Sequence, residues 1–313
     1  MHKIDIELIE MTLDVMKHAI GRISATEHEI GKPKKAEELK ALVGETVTEK
    51  GIGGEYAFNL WKEHLSKANV PVDHPRNLAF VPASPTRAAV MFDLVTSASS
   101  IHGAYWMEGA GGIFCENEAM KWIVSLTGLP EGAFGVFTSG GTAANLSAIV
   151  TAREYWRRDD TYKREKGLII TSIGAHSSIK AMAKVADVDI LLVDTEEKLT
   201  GSSLRETIDN LTFHQRKRLF AVVATGGTTN AGIIDDLEGI AEVCETERLW
   251  FHVDAAYGGG ALAADSVRPL FKGIERADSI TIDPHKWMFS PYDCGAVIYK
   301  KPELAKEAHS QQG

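Results

Sequence analysis

Cysteine is scarce in this sequence, with three residues among 313, and the three do not cluster. Cys115, Cys244 and Cys294 form no Cys-x-x-Cys pair, and no histidine stands near them at a spacing typical of metal ligands. This pattern disfavours both a disulfide framework and a zinc site, so we expect no metal. Isolated cysteines fit a reducing compartment, and we therefore predict a cytoplasmic protein.

Long apolar runs and blocks of positive charge are also missing. No stretch is apolar for long enough to span a bilayer, and the N-terminus has no apolar signal core. The basic segment 216–218 is short and is interpreted as a solvated helix end. The formal net charge is -9 and the sequence pI is about 5.7. We predict that neither a membrane nor a nucleic acid is a partner.

The length of the chain and its 44% hydrophobic content are sufficient for a large core. Residues 4–23 and 54–67 show helical periodicity, whereas residues 32–40 are charged and resemble a flexible linker. We expect residues 1–74 to form an N-terminal helical arm and residues 75–313 to form the large domain.

Beyond residue 75, short apolar runs rich in β-branched residues alternate with helical patterns. The predicted strands are 168–171, 190–193, 220–223, 249–253 and 279–282. The predicted helices are 116–127, 143–157, 177–186 and 235–246. This alternation predicts an α/β fold with a mostly parallel sheet, in which ligands bind beyond the carboxyl ends of the strands. The glycine-rich segments 51–54 and 109–112 follow no convincing strand and are interpreted as turns.

Two ionisable residues come directly after predicted buried strands. Lys286 follows the strand 279–282, which Pro284 ends. It either extends to water or, when desolvated, forms a Schiff base with a carbonyl compound. Asp254 follows the strand 249–253, where it either caps a turn or pairs with a buried cation such as a pyridinium nitrogen.

Three other segments favour ligand contacts less specifically. The run of small and hydroxyl residues at 138–146 opens a helix, so it indicates either an ordinary N-cap or a phosphate site. His176 follows the strand 168–171, where it caps the next helix or stacks on a planar group. The Gly-Gly-Thr-Thr segment at 226–229 forms a tight loop or a close approach to a ligand.

These motifs have a characteristic order along the chain. The small-residue loop comes first, then the histidine, the Gly-Thr-Thr loop, the Asp-Ala-Ala strand end and Pro-His-Lys. From about residue 50 onward the chain resembles the group II decarboxylases that depend on pyridoxal phosphate (PLP). The most specific parts are His-Val-Asp-Ala-Ala-Tyr at 252–257 and Asp-Ser-Ile-Thr-Ile-Asp-Pro-His-Lys-Trp at 278–287.

The resemblance implies three catalytic residues that also bind the cofactor. Lys286 would carry PLP as a Schiff base, and Asp254 would pair with the pyridinium nitrogen. His176 would stack on one face of the ring, near the substrate carboxylate, and Ala256 would pack on the other face.

Other positions take cofactor and substrate contacts from the same resemblance. Gly141 and Thr142 would bind the phosphate, Thr229 would lie near the cofactor, and His285 would assist the lysine. Asp283 stands where relatives often have an asparagine that faces the phosphate. The implied substrate pocket is lined by Phe80, Val81 and Pro82.

The implied fold is that of fold type I, the aspartate aminotransferase superfamily. It has a seven-stranded, mostly parallel sheet, an N-terminal helical arm and a C-terminal small domain, and its members are homodimers. Relatives continue well beyond residue 313, so the resemblance places the small domain outside this chain and leaves open a separate C-terminal chain as a partner.

The implied activity is decarboxylation of an L-amino acid to its amine and CO2, with an aromatic amino acid as the first expectation. Relatives often have a polar residue near Ala83 and an aromatic one near Ala104, so other substrates stay open. Two alternatives remain. One is an aldehyde synthase or lyase on the same scaffold, and the other is an incomplete chain that needs a second polypeptide for activity.

Overall fold

The computed structural model describes residues 6–26, 30–77, 81 and 83–310. Its contacts divide the chain into two compact units, residues 1–80 and residues 81–313. Two residues predicted to line the substrate pocket, Phe80 and Pro82, lie outside the described residues.

The first unit is helical. Its helices are α1 (Ile6–Ser24), α2 (Ala36–Val43) and α3 (Gly54–Leu60), and α3 continues through a π-helical turn at Trp61–Leu65 and a 3-10 turn at Ser66–Ala68. Helix α2 falls partly on the segment expected to be a flexible linker. Its alanine, leucine and glutamate residues favour a helix, and Glu38 accepts a hydrogen bond from the backbone of Lys35 that caps its start (3.0 Å).

The second unit is built on a seven-stranded sheet. Its strands are β1 (Phe134–Thr138), β2 (Leu168–Ser172), β3 (Asp189–Val193), β4 (Leu219–Thr225), β5 (Trp250–Asp254), β6 (Ser279–Ile282) and β7 (Gly295–Tyr299). The spatial order is β1-β7-β6-β5-β4-β2-β3, and only the pairs that include β7 are antiparallel. The α/β fold with a mostly parallel seven-stranded sheet is confirmed.

The described part of the second unit also contains eight α-helices. They are α4 (Arg87–Ala98), α5 (Trp106–Thr127), α6 (Gly141–Trp156), α7 (Ser177–Val185), α8 (Gly201–Asp209), α9 (Phe213–Arg218), α10 (Leu237–Glu247) and α11 (Pro302–Ala308). The segment 109–112, predicted as a turn, lies inside α5. Gly109 kinks this helix, and a Cβ there would lie 2.2 Å from the carbonyl oxygen of His102.

The hydrophobic core has two layers, one on each face of the sheet. Val222 and Phe251 belong to the layer that includes α8 and α10. Val223 belongs to the layer that includes α6 and α7. Because successive residues of a strand face opposite sides, strands buried on both sides must be apolar throughout.

One edge of the sheet collects the carboxyl ends of the parallel strands. Thr225 of β4, Asp254 of β5 and Thr281 of β6 lie side by side in register at this edge. Strand β1 ends there too, since Thr138 pairs with Gly295 at the start of the antiparallel β7. Among the helices that the structure describes, none combines the length and apolar character needed to cross a membrane.

Candidate active site

Lys286 lies in the turn that follows β6. Its backbone N–H donates to the carbonyl oxygen of Asp283 (2.9 Å), which closes the turn. Its Nζ lies 3.0 Å from Asp283 Oδ2, with 21% of the lysine side chain and 2% of the aspartate side chain exposed. The lysine is therefore held at the edge of the sheet by a buried carboxylate instead of extending freely into water.

Asp254 ends β5 and is 5% exposed. Its Oδ2 accepts a hydrogen bond from Asn145 Nδ2 of α6 (2.9 Å), and its Oδ1 accepts one from the backbone N–H of Ala256 (3.1 Å). Two donors on different oxygens fix the plane of this carboxylate. A planar cationic N–H in the site would meet a carboxylate whose orientation is already set.

A chain of buried polar groups continues behind Asp254. His252 lies two residues before Asp254 in β5, so both side chains face α6. Its Nε2 is 2.9 Å from Asn145 Oδ1, and its Nδ1 is 2.8 Å from Ser279 Oγ. Trp250 Nε1 donates to the same Ser279 Oγ (2.8 Å). Burial lowers the pKa of His252 to about 4, so the imidazole is neutral at pH 7.

The start of α6 meets the ends of β5 and β6. Gly140 precedes the helix with φ 140°, a conformation that favours glycine. A Cβ on Gly141 would lie 2.8 Å from Asp283 Oδ2 and 3.2 Å from Ala256 Cβ. This close approach leaves space only for glycine, and it brings the free N–H groups of a helix start to the site, as anion binding requires. Thr142 is exposed at the same helix start.

His285 is buried and anchors the loop that returns to β7. Its Nδ1 lies 2.9 Å from the backbone nitrogen and 2.7 Å from the carbonyl oxygen of Cys294. Its Nε2 is 3.9 Å from Asp283 Oδ2. The contacts of His285 therefore connect the Lys286 turn to the strand beside it.

Two predicted residues share the edge of the sheet without touching this cluster through polar atoms. His176 follows β2 and Thr229 follows β4, and both are exposed. Within the described ranges, no hydrogen bond or ion pair joins either residue to Asp254 or Lys286. His176 caps α7, because its Nδ1 accepts from the backbone N–H of Ser178 (3.2 Å). Val81, from the predicted substrate segment, is half-buried.

The sequence alone predicts no role for Asn145, His252 or Ser279. A signal was available, since a histidine inside an otherwise apolar buried strand needs polar partners. The identity of those partners depends on contacts across 107 residues of sequence for Asn145 and 27 for Ser279.

Residues 38–311 match the sequence model of a family described as the pyridoxal-dependent decarboxylase conserved domain. The chain belongs to this family. It is 30% identical over 309 residues to an aromatic-L-amino-acid decarboxylase of Bacillus atrophaeus, with 97% of this chain and 62% of the relative covered. It is 29% identical over 286 residues to an L-2,4-diaminobutyrate decarboxylase of Acinetobacter baumannii, with 84% of this chain and 56% of the relative covered.

Solved structures show the same architecture. The 4-hydroxyphenylacetaldehyde synthase of Rhodiola rosea superposes with a TM-score of 0.88 at 25% identity, over 97% of this chain and 68% of that chain. This chain spans about three fifths of the length of the curated family members named above.

The cofactor of the family combines an aldehyde, a pyridine nitrogen and a phosphate, and this site offers groups suited to them. Lys286 supplies an amine, Asp254 an oriented carboxylate and α6 a helix start. Three buried polar atoms have no hydrogen-bond partner among the described residues: Thr225 Oγ1, Thr281 Oγ1 and Asp283 Oδ1. These atoms are available to form hydrogen bonds with a bound group. The described part of the chain contains no cluster of three or more side chains suited to hold a metal.

Proposed function

We propose that this chain binds PLP at Lys286 and decarboxylates an L-amino acid, releasing CO2 and the corresponding amine. One observation carries the proposal. The Lys286 amine, the oriented Asp254 carboxylate and the start of α6 meet at the carboxyl edge of the sheet. Membership of the pyridoxal-dependent decarboxylase family supports it.

Bound PLP supplies an electron sink for the pair released when the bond between Cα and the carboxylate breaks. The residues of this chain would bind and orient the cofactor. Asp254 would accept the ring N–H, and Asn145 and the Ala256 amide keep its oxygens in place. Gly141 and Thr142, at the start of α6, would hold the phosphate.

Lys286 provides the amine that attaches the cofactor. Its Nζ must lose a proton before it can attack a carbonyl carbon, and Asp283 Oδ2, at 3.0 Å, is positioned to accept that proton. His285 keeps the turn against the start of β7 through Cys294. His176, after β2, would contact the side of the ring away from Ala256. Thr229, after the neighbouring β4, would lie near the cofactor.

A borohydride trap tests the attachment directly. The purified chain with added PLP is reduced, digested and analysed by mass spectrometry. We expect a pyridoxyl adduct on the peptide that contains Lys286, and its loss in Lys286→Ala. Lys184→Ala, which changes an exposed lysine of α7, serves as the control and keeps the adduct. An unmodified Lys286 peptide in the wild-type chain would reject the proposal.

We propose an aromatic amino acid as the substrate. The relative from Bacillus atrophaeus, named as an aromatic-L-amino-acid decarboxylase, supports this choice, whereas the relative from Acinetobacter baumannii acts on a diamino acid. Release of CO2 from a panel of aromatic, acidic and diamino acids tests it. The proposal predicts the highest kcat/KM for an aromatic member of the panel.

An aldehyde synthase is the second candidate. The similarity to the synthase structure from Rhodiola rosea favours it. That reaction consumes O2 and water and yields an aldehyde, CO2, ammonia and hydrogen peroxide, whereas simple decarboxylation yields only the amine and CO2. Peroxide and ammonia in step with CO2 release identify the synthase, and amine in equal amount to CO2 identifies the decarboxylase.

We also propose that residues 1–74 act as a helical arm, that residues 75–313 form the cofactor-binding domain and that the protein is a homodimer. Exposed apolar side chains on α4 and α5 support the homodimer, among them Phe92, Trp106 and Met107. The cytoplasmic location stays a prediction from composition.

A further inference from the structure

With His252 neutral, the buried groups behind Asp254 allow only one arrangement of hydrogens. Asn145 Nδ2 donates to Asp254 Oδ2, so Asn145 Oδ1 is the atom that faces His252 Nε2, 2.9 Å away. An amide oxygen only accepts, and His252 Nε2 must therefore carry a hydrogen. In a neutral imidazole the other nitrogen, Nδ1, then carries none.

The other end of the chain agrees with this assignment. Since His252 Nδ1 accepts, the Ser279 hydroxyl must donate to it (2.8 Å). Ser279 Oγ in turn accepts from Trp250 Nε1, which only donates (2.8 Å). Four hydrogen bonds thus run in one direction from Trp250 to Asp254. We call this set, Trp250, Ser279, His252, Asn145 and Asp254, the β5–α6 relay.

We propose that His252 and Asn145 are positioning residues, which use the β5–α6 relay to hold Asp254 as a fixed hydrogen-bond acceptor for the cofactor ring. The inference rests on the proposed function, because it assigns Asp254 to that ring. Asn145 contacts Asp254 and His252 contacts Asn145, so both would act through the carboxylate.

The interposed amide has a specific consequence. If His252 contacted Asp254 directly, a proton could pass between imidazole and carboxylate. Asn145 separates them, and an amide has no proton that it gives up in the ordinary pH range. The relay therefore orients the Asp254 carboxylate without offering it a proton. In the proposed site, the group that could share a proton with this carboxylate is the cofactor ring.

Burial makes the relay rigid. His252 and Ser279 are fully buried, and Asn145 is 1% exposed. Water cannot replace a lost partner at this depth, so removing one member leaves its neighbours unsatisfied. The groups that face His252 are Asn145 from α6, Ser279 from β6 and the nearby Asp254 of its own strand.

Nitrogen NMR of the histidine side chains tests the arrangement without any cofactor. The chain is labelled with 15N-histidine, and the His252 signal is assigned by its loss in His252→Gln. We expect the Nε2–H tautomer, with no titration from about pH 6 to about pH 9. A signal from the Nδ1–H tautomer, or one that titrates as imidazolium in this range, would overturn the relay.

Cofactor labelled with 15N in its ring tests the effect on Asp254. The chemical shift of the ring nitrogen in the bound state reports whether that nitrogen is protonated, and a titration gives the Kd for PLP. We expect Asn145→Ala and His252→Leu to raise the Kd about tenfold and to reduce ring protonation at neutral pH. His252→Gln keeps a donor toward Asn145 and an acceptor for Ser279, so it should restore both values.

Thr151→Val provides the matched control. Thr151 is buried on α6, six residues after Asn145, and its hydroxyl donates to the carbonyl oxygen of Ser147 (2.9 Å). We expect it to leave the ring nitrogen shift unchanged even where stability falls. Equal ring protonation in His252→Leu, His252→Gln and wild type would overturn the positioning role. If Asn145→Ala does not fold, ring protonation in His252→Leu and His252→Gln still tests the positioning role.

The two proposals fail in distinguishable ways. A missing adduct at Lys286 in the wild-type chain would reject the proposed function, whereas the tautomer of His252 in the cofactor-free chain would still report on the relay. A normal adduct with an unshifted ring nitrogen in His252→Leu would reject the positioning role alone.

Discussion

At the scale of single residues, Asp283 places a carboxylate between the amine of Lys286 and the start of α6. Its Oδ2 is 3.0 Å from Lys286 Nζ, and it lies 2.8 Å from the position that a Cβ of Gly141 would take. A phosphate at the start of α6 would therefore meet negative charge beside it. In the proposed site this carboxylate would assist the lysine at the expense of phosphate affinity.

Asp283→Asn should accordingly tighten cofactor binding. The amide keeps the size of the side chain and removes the repulsion, so we expect the Kd for PLP to fall about threefold to tenfold at low ionic strength. An absorbance titration measures it.

Asp278→Asn is the control for Asp283→Asn. It changes another largely buried carboxylate of the same unit, one that accepts from the backbone N–H of Phe251 (2.9 Å), and it should leave the Kd unchanged. Weaker PLP binding in Asp283→Asn would mean that the contact with Lys286 outweighs the repulsion.

At the scale of elements, Asp235 connects β4 to the start of α8. Its Oδ2 accepts from the backbone N–H of Thr225 (2.7 Å) and its Oδ1 from that of Leu199 (2.8 Å). Burial raises the pKa of Asp235 from 3.8 to about 6. The folded state therefore binds this proton more tightly than the unfolded state does, and stability from this group falls as the pH rises from about 4 to about 6.

This linkage predicts a change in the pH dependence of unfolding. As the pH rises from about 4 to about 6, Asp235 should lower the free energy of unfolding by about 3 kcal/mol. Asp235→Asn, which does not titrate, should remove the decrease while lowering stability at acidic pH through one lost backbone contact. Urea denaturation at several pH values measures it, with exposed Asp194→Asn as the control. Parallel pH profiles for wild type and Asp235→Asn would contradict the prediction.

The crossing of α8 and α10 depends on two glycines. A Cβ on Gly201 would lie 2.6 Å from the backbone of Gly239, closer than real contacts allow. Gly201→Ala must separate the helices, and we expect it to lower the free energy of unfolding by about 2 kcal/mol. Gly111→Ala in α5, where nothing lies within 4 Å, should be neutral or slightly stabilising. Thermal and urea unfolding of both variants measures the difference, and equal stability would show that the helices yield without cost.

At the scale of the whole molecule, the apolar surface of α4 and α5 is the basis for the proposed homodimer. Met107 is 96% exposed and Phe92 is 72% exposed. Sedimentation velocity over a range of concentrations should show a dimer, and the double variant Phe92→Glu with Met107→Glu should shift it toward monomer. Val185→Glu changes a single exposed apolar residue on α7 and should leave the dimer intact. A wild-type chain that stays monomeric at every concentration would contradict the prediction.

The sequence by itself determined the class of the fold and five of the seven strands, and it singled out Lys286 and Asp254 as candidate site residues. Strands buried on both sides are continuous apolar runs, which a local pattern reveals. Asp254 is the last residue of one such strand, and Lys286 lies in the turn that follows another. Local patterns were less informative about glycine. The segment 109–112 continues a helix, because the close approach to His102 that explains Gly109 is a tertiary contact.

Only the tertiary structure decided what surrounds Asp254. Asn145 lies 109 residues away from it in the chain, and the antiparallel β7 closes the sheet between β1 and β6. Neither the contact between Asn145 and Asp254 nor the position of β7 in the sheet corresponds to a periodicity or spacing in the sequence. Asp254 could be recognised from the sequence because a carboxylate at the end of an apolar strand is costly to bury without a partner. Its partners are ordinary polar residues, and they acquire their role only when strand and helix pack together.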